Sequence, residues 1–154
     1  MSNIQITPFN ERFAQQTLTL MRSSNEIDHH TDYTLWQASH FDADLFFIAL
    51  ADQQVIGYIF GRSVNDGILL WQIAVDKKEQ GKGVGKKLVS SLITSAKQKN
   101  VNAIVTTISV DNHSSKAAIF SAAKSCGLST RKVGMTSDFG GTMKKEVIYE
   151  LLFK

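Results

Sequence analysis

The stretch Gln80-Gly81-Lys82-Gly83-Val84-Gly85-Lys86-Lys87 gathers the residue types that hold a phosphate with backbone alone. Glycine permits positive φ and lets a ligand come close to the main chain. If a helix starts here, its first N–H groups lack internal partners. The helix dipole adds about half a positive charge at that end. Together these features make an anion site suited to a diphosphate. Spacing excludes two familiar phosphate loops. The dinucleotide fingerprint needs G-x-G-x-x-G, whereas Gly81, Gly83 and Gly85 alternate. The Walker A loop needs Ser or Thr after Gly-Lys, whereas Lys87 follows Gly85-Lys86. Taken alone, the glycines fit a phosphate cradle and a lysine-rich surface loop equally well.

The charges are unevenly placed. No Lys or Arg lies between Arg22 and Arg62, while Glu26, Asp28, Asp32, Asp42, Asp44 and Asp52 all fall there. Lys77, Lys78, Lys82, Lys86 and Lys87 crowd the glycine stretch. One region would attract a cation and the other an anion, although solvated loop faces carry such runs too. His29, His30 and His40 match no common metal-ligand spacing, so no metal site is expected. Cys126 is the single cysteine, has no disulfide partner in the chain, and reads as a small buried hydrophobe.

The elements that must position these residues follow from periodicity. "IQIT" reads as a first strand, and "FNERFAQQTLTLMRS" as a helix. "NEIDHHTDYTLWQASHF" is polar and mixed, a loop carrying a short helix. "DLFFIALADQQVIGYIFGRS" reads as two strands about an Asp-Gln-Gln turn, and "ILLWQIAV" as a buried strand. Beyond the glycines, Val84, Leu88, Leu92 and Ala96 recur every fourth residue, which predicts an amphipathic helix. "NAIVTTISV" is a further strand. "DNHSSKAAIFSAAKSCG" opens on good caps and closes on Gly127, as a helix should. "LSTRKVGM" and "EVIYELLF" complete the strands. At 154 residues the chain is expected to be one domain, 1–154, with a mixed sheet and helices on its faces.

Gln80-Gly81-Lys82-Gly83-Val84-Gly85 also matches the pattern Q/R-x-x-G-x-G/A. It follows a strand ending "IAVD" and opens a helix. In this context the chain resembles the GNAT family of N-acetyltransferases over nearly its whole length. The implied fold class is α/β (α+β): a mixed, mostly antiparallel central sheet of about six to seven strands with helices on both faces. A narrower resemblance lies in "LWQIAVDKKEQGKGVGKKLV", "TTISVDNHSSKAAIF" and "IDHHTDY", which are similar to the diaminobutyrate acetyltransferases of ectoine synthesis. That group has a Gly-His-Glu stretch before its last strand. Here "GTMKKEVIYEL" has no His, which leaves the acceptor open.

The resemblance implies acetyl-CoA as cosubstrate, no metal, and direct transfer to an amine. The cofactor would be held by Gln80, Gly81, Lys82, Gly83, Val84, Gly85 and Lys86, by the strand residues Ile73, Ala74 and Val75, and by Asn112, Ser115 and Phe120. In the family a bulge splays the cofactor strand and exposes N–H groups near its end. Val75 is then the first candidate to polarise the thioester carbonyl. A primary amine with a pKa of about 10.4 is neutral in only about one molecule in a few thousand at pH 7, so a proton must be shed. Asp28 is the first candidate base or ammonium anchor, and Glu150 the second. Glu26, Asp28, Tyr33, Trp71 and Gln72 are the expected acceptor contacts. Many relatives carry a Tyr as general acid where this chain has Phe120, and a phenyl ring cannot donate a proton.

The expected function is acetyl transfer to the primary amine of a small cationic molecule, a diamino acid or polyamine. The alternatives are acetylation of a protein or peptide amine, and a non-catalytic acyl-CoA sensor. Nucleic acid is not an expected partner, because the basic patch is confined to the glycine loop and no aromatics interleave with it. No apolar run is long enough to span a bilayer and no signal peptide is visible, so a cytoplasmic location without a membrane partner is expected. Dimers are common in the family, and no residue pattern here demands or forbids one.

Overall fold

The structure is a computed structural model that describes residues 3–23 and 32–154. A seven-stranded sheet runs in the order β1-β2-β3-β4-β5-β7-β6. Its strands are β1 (Ile4–Pro8), β2 (Phe46–Ala51), β3 (Gln54–Val64), β4 (Gly67–Val75), β5 (Ala103–Ser109), β6 (Ser129–Met135) and β7 (Glu146–Leu152). The helices are α1 (Ala14–Ser23), α2 (Asp32–Phe41), α3 (Val84–Lys97) and α4 (His113–Ser125). This is the expected mixed, mostly antiparallel sheet. Among the described residues the one parallel pair is β4 with β5, joined by the crossover helix α3.

Two cores sandwich the sheet. Leu88, Leu92 and Ala96 of α3 are fully buried with Ile59, Ile68 and Ile104 in one. The other sets Met21 of α1 and Leu35 of α2 against Phe46, Tyr58 and Phe60. Each fully buried Leu or Ile side chain contributes about 1.5–3 kcal/mol, so the apolar stripe of α3 anchors the glycine loop that precedes it. Cys126 corrects its sequence reading. It is exposed, because Ala122 and Ala123 take the inward face of α4 and Cys126 sits at the helix end. The short helix expected within the polar segment is the ten-residue α2.

Two features of β4 open the sheet. Phe60 pairs with Gln72 and Gly61 with Leu70, so Trp71 is an extra residue, a bulge on β4. The pairing of β4 with β5 covers Ile68, Leu69 and Leu70 and stops there, although β5 continues through Ser109. The sheet therefore opens between the end of β4 and the end of β5, directly after the bulge. Among the described residues no helix is long and apolar enough to cross a membrane.

Candidate active site

The opening in the sheet separates two clefts. One is a groove of about 430 Å³ between the glycine loop with the start of α3 and the start of α4. The other, of about 640 Å³, lies among the ends of β4, β5 and β7 and the segment before β7. Ile73, Asn112 and Ser115 line both, so the two clefts meet at those three residues.

The groove is built mainly from backbone. Gly81 and Gly83 both have φ of +82°, a conformation that costs other L-residues about 1–2 kcal/mol. A Cβ on either would meet nothing within 4 Å, so both present bare backbone to open space. Gly83 occupies the N-cap of α3 and offers no side chain to its first amides. Those amides and the helix dipole make an electropositive helix start facing the groove. Gly85 has a different task. A Cβ there would sit 3.0 Å from the Cβ of Ala118, so this glycine lets α3 close upon α4. Gln80 ties the loop to the strand, its Nε2 donating to the carbonyl of Val75 at 3.3 Å. Lys86 lines the groove, whereas the Lys82 ammonium bonds Glu79 at 2.9 Å.

Peptide directions along the end of β4 can be followed from its hydrogen bonds. Asp76 N–H donates to Ile56 of β3 at 2.8 Å. Strand alternation then turns the amide of Ala74 toward β3 and those of Ile73 and Val75 toward the opening. The Val75 carbonyl, which accepts from Gln80, lies on that same side. Of the expected amides Ile73 to Val75, alternation thus leaves Ile73 and Val75 as the available donors, with Ala74 contributing to the groove wall.

The second cleft is built from side chains. Because Trp71 is an extra residue, Trp71 and Gln72 lie in succession toward the α1–α2 side. Trp71 is half-buried, packs edge-on to Phe60 at 5.2 Å, and has the Arg62 guanidinium over its ring at 5.4 Å. Gln72 is buried, and its Oε1 accepts from the Tyr58 hydroxyl. Thr107 and Ser109 of β5 and Glu146 of β7 form the facing wall. Lys144 and Asp111 form an ion pair that joins the segment before β7 to the turn before α4. The hydrogen bond and charge of Lys144 hold the Asp111 carboxyl below the usual carboxylate range. With that pair self-neutralised, Glu146 leaves this wall acidic.

Several expected site residues are placed elsewhere. Glu150 bonds Arg131 at 2.8 Å and lines neither cleft, because it lies four residues along β7 from Glu146. The Phe120 ring packs edge-on to Tyr149 at 5.0 Å, and Ala117, Ala118 and Ser121 take the groove wall in its place. Tyr33 is 65% exposed on α2, stacked with Trp36, and lines neither cleft. His40 stacks on Trp36 at 4.7 Å. Glu26, Asp28, His29 and His30 lie outside the described residues. Asn112 caps α4, its Oδ1 accepting from Ser115 N at 3.2 Å. Sequence reasoning missed Glu146, Asp111 and Lys144. The charged Lys-Lys-Glu before the last strand was a faint signal, but register alone puts Glu146 opposite Ser109.

The split in the sheet thus sets a glycine-rich, bare-backbone groove on one side of the gap and a cleft carrying Glu146 on the other. The chain belongs to the acetyltransferase (GNAT) family, whose model matches residues 12–126. The cosubstrate of that family is acetyl-CoA, and the groove's open glycine backbone and α3 amides fit its diphosphate.

Among curated proteins, the L-2,4-diaminobutyric acid acetyltransferase of Halalkalibacterium halodurans is 26% identical over 98 residues, covering 62% of this chain and 52% of that one. The protein of the same description from Nocardia farcinica is 32% identical over 88 residues, covering 55% and 46%. The chain spans about half the length of these curated relatives. Among solved structures, the diaminobutyrate acetyltransferase from Paenibacillus lautus, in complex with L-2,4-diaminobutyric acid and coenzyme A, superposes with a TM-score of 0.87 at 18% identity. The match covers 100% of this chain and 98% of that one. Ard1 from Thermoplasma volcanium superposes at 0.80 with 16% identity, covering 98% and 99%. At these identities the structural likeness establishes the fold.

Proposed function

We propose that this protein transfers the acetyl group of acetyl-CoA directly to a primary amine of a small diamino acid. The observation that carries this reading is the junction of the two clefts at Ile73, Asn112 and Ser115. A thioester whose diphosphate rests on Gly81–Lys86 would reach that junction along the end of β4. Bound acetyl-CoA supplies an activated acyl carbon; the chain supplies position and charge. The outward amides of Val75 and Ile73 would hold the thioester oxygen as it gains negative charge. A preorganised donor of this kind is worth roughly 2.7–4 kcal/mol.

The acceptor would enter the 640 Å³ cleft as an ammonium. Glu146 would attract that cation and take its proton, directly or through water. Asp111 is tied to Lys144 and Glu150 to Arg131, which leaves both poorly suited to the task. Asp28 and Glu26 keep the acceptor-side role that their acidic segment suggests, and Trp71 and Gln72 that of contacts. The departing thiol has an ordinary pKa of about 8.5, so it can leave without the aromatic acid that Phe120 replaces. The names of the curated relatives support a diamino acid over other amines.

The test is thiol release from acetyl-CoA over diamino acids, polyamines, aminoglycosides and short peptides. Turnover confined to small diamino acids is the expected outcome. Turnover on peptides alone would move the protein to the protein-acetylating branch. Binding of acetyl-CoA with no turnover on any amine would make it a sensor.

A further inference from the structure

Among the described residues, the charged side chains that line the second cleft are Asp111, Lys144 and Glu146. They differ in depth. Glu146 is half-buried at the start of β7, opposite Ser109. The side chains of Lys144 and Asp111 are 59% and 71% exposed, at the mouth. Lys144 lies two residues before Glu146, so their Cα atoms are at most about 7 Å apart. A small molecule that reaches Glu146 therefore has its outer end beside the Lys144–Asp111 pair.

An exposed ion pair adds little to stability. This one still has bonding capacity to offer. The Lys144 ammonium carries three donors, and among the described residues Asp111 is its one acceptor. Asp111 accepts through Oδ2, which leaves Oδ1 for another donor. Lys144 holds that carboxyl below the usual carboxylate range, so it stays ionised at neutral pH. An ammonium and a carboxylate side by side match the head of an α-amino acid, which carries the same two groups on one carbon. Docked head to tail, each of the four charges meets an opposite one. The sum of charges agrees. The cleft offers two carboxylates and an ammonium, and a diamino acid brings two ammoniums and a carboxylate. A plain diamine leaves Lys144 without a new partner and sets a like charge near it.

Resting on the proposed acetyl transfer to a diamino acid, we infer that Lys144 and Asp111 determine which acceptors are chosen: Lys144 binds the α-carboxylate and Asp111 the α-ammonium. The second amine of the same molecule is thereby left inside the cleft, at Glu146.

The experiment measures KM and kcat/KM of the full chain for three amines. They are 2,4-diaminobutyrate, 1,3-diaminopropane, which lacks its carboxylate, and 4-aminobutyrate, which lacks its α-amine. Wild-type protein should prefer the diamino acid over each of the others by about tenfold, the usual cost of one lost hydrogen bond to a charged group. Lys144→Met should raise KM for the two carboxylate-bearing amines, cost far less on 1,3-diaminopropane and leave KM for acetyl-CoA near its wild-type value. Lys144→Arg should keep the preference, and Lys144→Glu should reverse it toward the diamine. Asp111→Asn should bring 2,4-diaminobutyrate down toward 4-aminobutyrate. The acetyl-CoA-induced rise in Tm shows which variants are folded. If Lys144→Met fails to fold, Asp111→Asn decides. Loss spread equally over the three amines, or no loss on any, would overturn the inference and leave the transfer itself standing. So would a wild type that takes 1,3-diaminopropane as readily as the diamino acid. A wild type that acetylates no diamino acid would overturn the parent reading, and this one with it.

Discussion

The two limbs of the site are made of different material. The groove is main chain: Gly81 and Gly83 in a left-handed conformation, the uncapped start of α3, and the amides of a splayed strand. The second cleft, proposed to take the acceptor, is side chain, drawn from β4, β5, β7 and the connections beside them. A backbone site recognises what every coenzyme A thioester shares. A side-chain site can be retuned one residue at a time without disturbing the first. The division teaches that cofactor identity can be read from a local pattern, whereas acceptor identity depends on which side chains the sheet brings together.

The sharpest way to break this division is at Gly83. Acetyl-CoA at a hundred times its Kd should stabilise the wild type by about 2.7 kcal/mol, roughly 5–10 °C in Tm for a chain of this size. Gly83→Val should abolish that rise, since valine resists φ of +82° and fills the open side of the loop. An undiminished rise would mean the diphosphate is held elsewhere.

Next comes the seam between the limbs. Val75→Pro removes one outward amide without removing a bond to β3. It should lower kcat by about 10²–10³ while the acetyl-CoA-induced Tm rise persists. A kcat close to wild type would transfer the role to Ile73. On the acceptor side, Glu146→Gln should cost roughly 10–100-fold in kcat/KM for the amine with acetyl-CoA affinity unchanged. Parallel weakening of both substrates would remove Glu146 from the cleft's chemistry.

The smallest effect belongs to the exposed Lys144–Asp111 pair. Because Lys144 depresses the folded carboxyl, its contribution is present above the unfolded Asp pKa of about 3.9. It disappears as pH falls through the lower folded value. Lys144→Met should therefore show a slightly lower Tm than wild type near pH 6 and the same Tm at strongly acid pH. A gap of constant size across that range would show that the lysine acts by packing.

Much of the groove was legible beforehand because it is contiguous. Gln80 to Lys86 run unbroken from the loop into the first turn of α3, and Asn112 and Ser115 lie at the start of α4. The ring of Phe120 turns to Tyr149, and Ala117, Ala118 and Ser121 hold the groove wall on α4. Which acidic residue of β7 lines the cleft is a matter of register. Glu150 pairs beside Val105 and Glu146 beside Ser109, where the sheet has opened.

The amino-acid order alone determined the helices, the strands and the glycine cradle, because periodicity, capping and positive φ are properties of neighbours along the chain. Only the tertiary structure decided the second cleft. Its walls come from Trp71, Thr107, Asp111 and Glu146, which are distant in sequence. The bulge at Trp71, the early end of the β4–β5 pairing and the insertion of β7 between β5 and β6 bring them together. Those are consequences of long-range strand register, which burial on both faces of the sheet sets and no local pattern encodes.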